Sequence, residues 1–486
     1  MNSYTKIVFA LFLHLPLVAL TLPEAVEKTL ETNPEMQKSI SNYIAVKNDL
    51  DMAKSGYRPT LDYRGAFGEE KTKSNSVTNA EDVTLTRTEN QLIAKQNLFE
   101  GFGTKYDISE QNALVDASRF NAMQDANTIG LRTAQVYLQV IREKKILDLL
   151  LSNVKAHERI YKMIKQKTDS GLSRRSDLEQ TQGRLALAYS NYIAQQNNYQ
   201  DALINFERVY GKTLSSADLE MPNLPELPAS NKAGLVEVAL KYSPTLMIEK
   251  ANIKTQESRH SKSKSGFYPN LDLELAAEWN NNLNGLERPD ESYRAMLRLD
   301  YNLYGGGNDE SSRLKNLQLV TSQKESFNEQ QRAVVEKIRL AYVAERILAN
   351  QIKCLKVHTK QTHQTVESYA KEYQLGRRTL LDLLNTELEY NNAQQAVENA
   401  LFDRHIARYR ILESTGVLPL VLKNSVAQRV DAGEVDNIVA AQENSDIDLL
   451  GETDEFINTN AICEDLDTPS EVSLLDNAKA LNASVK

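Results

Sequence analysis

The side chains that most often perform chemistry in proteins are sparse in this sequence. The chain has six His and two Cys among its 486 residues. His358 and His363 lie five positions apart, which places them on different faces of a helix rather than side by side as metal ligands. The sequence contains neither a G-x-x-x-x-G-K-[ST] phosphate loop nor an H-E-x-x-H zinc motif. We therefore expect no catalytic residue, no bound metal and no cofactor.

The two cysteines are far apart in the sequence. Cys354 falls in a helical pattern, and Cys463 falls in an acidic segment near the end of the chain. Two distant cysteines do not form a disulfide framework. We expect both to be free thiols.

Charged and hydroxyl side chains cluster instead in a short segment that occurs twice. It reads Gly171-Leu-Ser-Arg-Arg-Ser-Asp177 the first time and Gly376-Arg-Arg-Thr-Leu-Leu-Asp382 the second time, with the glycines 205 residues apart and the aspartates also 205 apart. Each glycine is expected to end one helix as its C′ residue. The hydroxyl residues that could cap the next helix are Ser173, Ser176 and Thr379.

Long helical patterns enter and leave both segments. From Thr104 to Lys167 there is no Pro and a single Gly, and apolar residues recur at steps of seven, or of three and four. The same heptad pattern follows the first turn as far as Gly211, and a second pair of helices ends at Gly416. Heptads sustained over this length predict coiled coils that reverse direction at the two turns.

Before each long helix the apolar period changes from 3.6 to 2. Leu271, Leu273 and Leu275 alternate with charged residues, and a second alternating run begins at Tyr293. A similar pair of runs occupies residues 59–99. Each half therefore predicts a β-hairpin with one apolar and one polar face.

Such alternation suits either a membrane-spanning strand or a sheet that packs on a soluble core. If the strands span a membrane, four of them cannot close, and an open edge is not tolerated in lipid. Single-chain barrels need at least about eight strands, so several copies must share one barrel, and three copies would give roughly 12 strands. A fibrous, spectrin-like protein is the alternative for the helices.

The start of the chain differs in composition from the rest. Lys6 precedes an apolar run from Ile7 to Leu20 that is broken only by His14 and Pro16. This pattern is typical of a secretory signal peptide, and a membrane anchor is the alternative. No cysteine follows directly, so we do not expect a lipid-anchored terminus.

Acidity is concentrated near the other end. Residues 420–486 contain 14 Asp and Glu against 4 Lys and Arg, a net charge of -10, so the other 419 residues carry +1 of the total of -9. Scattered acidic residues with few aromatics are typical of disorder. With 41% hydrophobic residues and a mean hydropathy of -0.48, the chain is too polar for a multi-helix membrane protein.

The order of elements occurs twice. Ser55-Gly-Tyr-Arg-Pro-Thr-Leu-Asp62 returns as Ser265-Gly-Phe-Tyr-Pro-Asn-Leu-Asp272, and Asn97-Leu-Phe-Glu-Gly101 returns as Asn302-Leu-Tyr-Gly-Gly306. Repetition of this kind indicates two copies of one structural unit. The expected organisation is a signal peptide (1–20), a first repeat (21–220, strands about 59–99, helices about 104–210), a Pro-rich linker (221–230), a second repeat (231–419, strands about 269–304, helices about 308–416) and an acidic tail (420–486).

Residues 22–418 resemble the TolC family of outer-membrane channel proteins. The most specific segment is Tyr373-Gln-Leu-Gly-Arg-Arg-Thr-Leu-Leu-Asp-Leu-Leu-Asn385, which looks like the second periplasmic turn of the family. Ser170-Gly-Leu-Ser-Arg-Arg-Ser-Asp177 is similar to the first turn, with Ser in the place of the usual Thr. The resemblance implies a mainly α homotrimer with four strands per chain in a shared barrel of about 12 strands, and a long coiled-coil tunnel in the periplasm.

The resemblance also assigns roles to the turns. It implies a gate in which an Asp on the first turn and a Tyr and an Arg on the second tie neighbouring coiled coils shut, around a ring of Asp. The implied gate and constriction residues are Asp177, Ser176, Tyr373, Arg378, Asp382 and Asn385. The implied adaptor-docking residues are Gly171, Leu172, Ser173, Gly376 and Arg377. The family often has Asp where this chain has Asn385, which weakens the expected negative charge of the inner ring.

The expected function is a passive exit duct in the outer membrane, working with a periplasmic adaptor and an inner-membrane ABC transporter or proton-driven pump. Type I protein secretion is favoured, because many dedicated efflux channels are lipoproteins and no lipid-anchoring Cys is present. A multidrug efflux channel is the alternative within this class. A periplasmic coiled-coil scaffold without a pore is the alternative from another class. Nothing in the sequence suggests nucleic-acid binding.

Overall fold

A computed structural model describes residues 20–73, 82–213 and 219–422. The sequence-predicted signal peptide and acidic tail lie almost entirely outside these residues. The helices are α1 (Leu22–Thr32), α2 (Pro34–Ser55), α3 (Gly103–Asp169), α4 (Arg175–Tyr210), α5 (Lys232–Tyr242), α6 (Pro244–Lys262), α7 (Asn308–Gln374), α8 (Leu380–Thr415) and α9 (Leu418–Val421), and the strands are β1 (Thr60–Lys73), β2 (Asp82–Glu100), β3 (Asn270–Asn281) and β4 (Pro289–Asp300).

The two repeats match residue for residue in their long helices. α3 and α7 both have 67 residues, and α4 and α8 both have 36. Their starts and ends are each 205 positions apart, which is the spacing of the two turn sequences. The prediction of two internal repeats is confirmed.

The chain divides into two compact units. One unit comprises the described part of residues 1–37, 125–243 and 334–486. The other unit comprises the described part of residues 38–124 and 244–333. The first unit contains both turns, and the second contains the sheet. No helix in the described ranges is both long enough and apolar enough to cross a membrane.

The sheet is antiparallel throughout and has the order β1-β2-β3-β4. The strands β1 and β4 are therefore its edges. A β-bulge shifts the register of β2 against β3 between Asn97 and Phe99. The strands have 14, 19, 12 and 12 residues, so most are longer than the ten or so that alternation in the sequence indicated.

The strand register separates apolar and polar side chains onto opposite faces. One transverse row pairs Leu61 with Ala94, Ala94 with Leu275 and Leu275 with Ala295. The large apolar side chains of this face are exposed to solvent in the chain: Leu61, Tyr63, Phe67, Leu275, Trp279, Tyr293, Leu297 and Leu299. A sheet that packed on a soluble core would bury this face, so the structure favours the membrane alternative.

The opposite face of the sheet is polar and internally paired. Glu274 of β3 lies 3.0 Å from Arg298 of β4, and Asp272 of β3 lies 2.9 Å from Lys95 of β2. A third β3 carboxylate, Glu278, accepts a hydrogen bond of 2.6 Å from Gln91. Each carboxylate of β3 therefore has a donor on a neighbouring strand, which is what a water-facing sheet surface requires.

One expectation about the cysteines is wrong. Cys354 lies in α7 and is disulfide-bonded rather than free. Separation along the sequence does not decide which thiols meet, because the folded chain sets their distance. Cys463 lies outside the described residues.

Candidate functional site: two equivalent turns

The first turn ends α3 with a Schellman motif. The amide N–H of Leu172 donates to the carbonyl of Lys167 (2.7 Å), and that of Gly171 donates to the carbonyl of Thr168 (2.9 Å). Gly171 has a φ of +73°, a left-handed conformation that favours glycine. The chain thus stops the helix and turns within a few residues.

The second turn repeats this geometry at the end of α7. Arg377 donates to the carbonyl of Glu372 (2.9 Å) and Gly376 donates to that of Tyr373 (3.1 Å). The φ of Gly376 is also +73°. The two C′ glycines predicted from the sequence therefore occupy equivalent positions.

The helices that leave the turns start differently. Thr379 caps α8 with a capping box: its hydroxyl accepts from the Asp382 amide (3.2 Å), and the Asp382 carboxylate accepts from the Thr379 backbone N–H (3.4 Å). The equivalent N-cap of α4 is Arg174, whose side chain makes no cap hydrogen bond. Thr379 is confirmed as an N-cap. Ser173 and Ser176 are not N-caps, because α4 begins at Arg175 and its N-cap position is occupied by Arg174.

No capping box forms at the start of α4, so the Asp177 carboxylate bonds to a residue other than the N-cap. Asp177 holds the position equivalent to Asp382, but its carboxylate accepts a hydrogen bond of 2.9 Å from the Ser173 hydroxyl. Ser173 and Asp177 also lie close enough to Tyr373 of the second turn to affect the pKa of its phenol. Ser173, Asp177 and Tyr373 therefore form one cluster that joins the two turns within the chain.

This cluster changes the acidity of the phenol. Burial raises the pKa of Tyr373, and the nearby negative charge of Asp177 raises it further, against the opposing effect of the Ser173 hydrogen bond. The Nζ of Lys167 lies 4.6 Å from the centroid of the Tyr373 ring. The phenol is therefore neutral and able to donate at physiological pH.

A small apolar core supports the cluster from behind. Its buried side chains come from the end of α3 and the start of α8: Ile160, Ile164, Leu380, Leu383 and Leu384. Leu178, Tyr369, Ala370 and Tyr373 pack against them, so α4 and α7 also contribute. The core fixes the positions of both turns relative to each other.

The structure pairs Arg378 with Glu372 of its own turn. Its Nε donates to the Glu372 carboxylate at 2.9 Å, and its guanidinium carbon lies 4.0 Å from the Tyr369 ring centroid. The hydrogen bond to Glu372 raises the pKa of Arg378, so the group stays charged. Within this chain, Arg378 is held on its own turn by two residues that the sequence did not single out.

The remaining implied gate residues also have definite positions. Asn385 is exposed one turn beyond Asp382 and accepts a hydrogen bond of 3.3 Å from Arg184 of α4. Ser176 is exposed, and its side chain makes no hydrogen bond to any residue that the structure describes. Glu372 could have been found as a charge six positions before Arg378 on the same turn. Arg184 gave no such signal, because its partner Asn385 lies on a different helix.

The two histidines considered as metal ligands lie on the α7–α8 pair. His358 Nε2 is 4.0 Å from a Glu389 oxygen, and the His363 ring stacks on Tyr390 with centroids 4.8 Å apart. Across the ranges described, no group of three or more His, Cys, Asp and Glu could hold a metal.

Two pairs of long helices closed by equivalent turns, with a four-stranded sheet whose apolar face is exposed, define the protomer of an outer-membrane channel. The chain belongs to the family described as outer membrane efflux protein, whose model matches residues 25–212 and 235–417. The two matched segments correspond to the two repeats.

Individual proteins agree with the family. The chain is 22% identical over 426 residues to the outer membrane protein TolC of Escherichia coli, covering 82% of this chain and 83% of that protein. It is 21% identical over 439 residues to the alkaline protease secretion protein AprF of Pseudomonas aeruginosa, covering 88% of this chain and 90% of that protein. The solved structure of the Campylobacter jejuni CmeC outer membrane channel matches with a TM-score of 0.72 at 15% identity, over 82% of this chain and 85% of that one.

These findings confirm the resemblance to TolC and the mainly α fold class with four strands per chain. They also confirm the outer membrane as the location and a passive channel, rather than an enzyme, as the class of function.

Proposed function

We propose that this chain forms, as a homotrimer, the exit duct of a tripartite export system that serves type I protein secretion. The observation that carries the proposal is the sheet. Its apolar face is exposed, and its edge strands β1 and β4 have no partner among the described residues. Lipid does not tolerate open edges, so β1 of one copy must pair with β4 of the next.

Protein secretion as the cargo class is supported by the relatives. AprF, whose name assigns it to secretion of an alkaline protease, matches 88% of this chain. The family description names efflux, which is the second candidate. The periplasmic adaptor and the inner-membrane transporter are parts of the same proposal. The two candidates predict different effects of removing the channel. For a secretion channel, a protein would be missing from the culture medium. For an efflux channel, a drug would be retained in the cell.

We propose further that the turns form the closed gate. Ser173, Asp177 and Tyr373 hold the two turns of one chain together. Arg378 is kept in a fixed position by Glu372 and Tyr369, from which it would pair with a neighbouring copy. Opening separates these contacts, while Asp382 and Asn385 line the constriction.

The test is single-channel conductance of the full chain in planar lipid bilayers. Asp177→Ala combined with Arg378→Ala is expected to raise the conductance, because contacts within and between protomers are removed together. Arg175→Ala is the matched control, since this arginine is exposed on the same turn and pairs only with Glu179 at 3.3 Å. Unchanged conductance in the double variant would refute the gate, and absence of any conductance in the unmodified chain would refute the channel.

A further inference from the structure

Cys354 is a side chain of α7 that the channel function leaves unexplained. It is disulfide-bonded and only partly buried in the second half of the helix. The chain has one other cysteine, Cys463, which belongs to the acidic tail. Proteins of the outer membrane pass through the periplasm, an oxidising compartment in which disulfides form and persist.

The surface of α7 around Cys354 is basic. Residues 346–366 contain four Lys and Arg and neither Asp nor Glu. Arg346, Lys353 and Lys360 are seven positions apart, so they follow one another along the same face of the helix. We call these three residues the basic stripe. Lys353 and Lys360 are exposed, and none of the three is without an interaction partner.

The sequence around Cys463 has the opposite charge. Cys463-Glu-Asp-Leu-Asp467 places three carboxylates directly after the thiol, and residues 452–455 contain three more. Residues 420–486 together have a net charge of -10. Because opposite charges attract, the segment that contains Cys463 is complementary to the stretch of α7 that contains Cys354.

The acidic tail is long enough to reach this part of α7. The helices α7 and α8 run antiparallel from the second turn, and Lys337 lies 2.7 Å from Glu413. The end of α8 is therefore level with the part of α7 just before Lys337, roughly 30 Å from Cys354 at about 1.5 Å per residue. Residues 423–462, which are 40 in number, separate Leu422 from Cys463. A flexible polypeptide of that length has an average end-to-end distance of roughly 35 Å.

We propose that a disulfide between Cys354 and Cys463 fastens the acidic tail along the basic stripe of α7. The bond forms when the two thiols together give up two protons and two electrons to a periplasmic protein disulfide, which is reduced to a dithiol. A cysteine tethered to the same chain reacts at a high effective concentration, which favours this pairing. The carboxylates that follow Cys463 then pair with the cations of the stripe. The inference holds whichever cargo the channel carries.

The disulfide is tested on the full chain, purified in detergent without a reductant. After denaturation, a maleimide–polyethylene glycol reagent should add nothing to the untreated chain and should add two labels once the chain is reduced. Mass spectrometry of a digest should show the Cys354 peptide joined to the Cys463 peptide, in a protein that migrates as a monomer on a non-reducing gel. Two free thiols, or a disulfide-linked dimer, would overturn the inference.

Limited proteolysis tests whether the bond holds the tail on the chain. Trypsin can cut after Lys423 and Arg429, which lie between α9 and Cys463 in the sequence. The released tail fragment should stay attached on a non-reducing gel until a reductant is added. In Cys354→Ser the fragment should leave without reductant, and unchanged helical circular dichroism would show that this variant is folded. Release from the unmodified chain without reductant would contradict the tether.

The role of the stripe is measured as the equilibrium constant of disulfide formation in glutathione buffers at pH 7. Replacing the three cations of the stripe with Gln should lower this constant about fivefold at about 50 mM NaCl, as a few exposed ion pairs allow. The effect should shrink at about 500 mM NaCl, because salt screens exposed charges.

The matched control removes three exposed cations from α3 by Lys155→Gln, Lys162→Gln and Lys165→Gln. It changes the net charge equally and should leave the equilibrium constant unchanged. Equal losses in both triple variants would assign the effect to net charge, and no loss in the stripe variant would show that the tail does not lie along the stripe. Either result would overturn the inference.

Discussion

Replacing Arg174 with threonine tests how the two turns divide their functions. In the second repeat, the Thr379 hydroxyl and the Asp382 carboxylate form a capping box. The first repeat already has an aspartate at the matching position, Asp177, and lacks only the hydroxyl at the N-cap. We therefore expect Arg174→Thr to create a second capping box and to draw Asp177 away from Ser173.

The size of the effect follows from known caps. A Ser, Thr, Asp or Asn cap contributes about 1 kcal/mol to helix stability, which corresponds to about fivefold in a local opening equilibrium. Amide hydrogen exchange in the first turn of α4 should become slower by that factor. Because the Asp177 charge contributes to the raised pKa of Tyr373, that pKa should fall. If the gate is as proposed, single-channel conductance should rise.

Arg175→Thr is the control, because it introduces the same residue one position too late to cap the helix. Unchanged exchange at the start of α4 in Arg174→Thr would refute the capping argument. Slower exchange and a lower Tyr373 pKa with unchanged conductance would show that the cluster of Ser173, Asp177 and Tyr373 does not hold the gate closed.

Two further predictions concern stability. Leu383→Ala removes a side chain that is 2% exposed in the core behind the turns and should destabilise the chain by about 2–5 kcal/mol. Leu381→Ala, at a position that is 47% exposed, is the control and should cost about 0.5 kcal/mol or less. Equal losses of stability in thermal melts of the two variants would contradict the core assignment. Burial, with the nearby charges of Arg404, Arg408 and Lys145, lowers the pKa of His405 to about 4, so this residue is neutral when folded and protonates more readily when unfolded. Stability should therefore fall as the pH drops from about 6.5 to about 4, by about 2 kcal/mol after allowance for partial solvation, and His405→Phe should flatten this part of the pH profile of thermal unfolding.

The sequence was sufficient for the architecture because periodicity fixes the direction of side chains. A spacing of two residues separates the apolar and polar faces of a strand, and heptads place one stripe on a long helix. The alternation that begins at Leu271 thus predicted the exposed apolar face of the sheet, and the interval of 205 residues between Gly171 and Gly376 predicted two equivalent turns. A glycine followed by a capping threonine is a local signal, so Gly376 and Thr379 were also predicted correctly.

The contacts at the turns could not be predicted in the same way, because each charged or hydroxyl side chain has more than one possible partner within reach. The sequence does not show that α4 starts at an uncapped arginine, since Ser173 and Ser176 are both better caps. It does not show that Arg378 pairs with Glu372, or that Cys354 is disulfide-bonded.

The repeat therefore determined where the two turns lie, and the tertiary structure decided what their charged residues contact. Arg184 of α4, for example, donates a hydrogen bond to Asn385 of α8, which is 201 positions away in the sequence. The physical reason is that backbone conformation follows from local sequence, whereas the partner of a side chain is the group that packing brings within hydrogen-bonding distance.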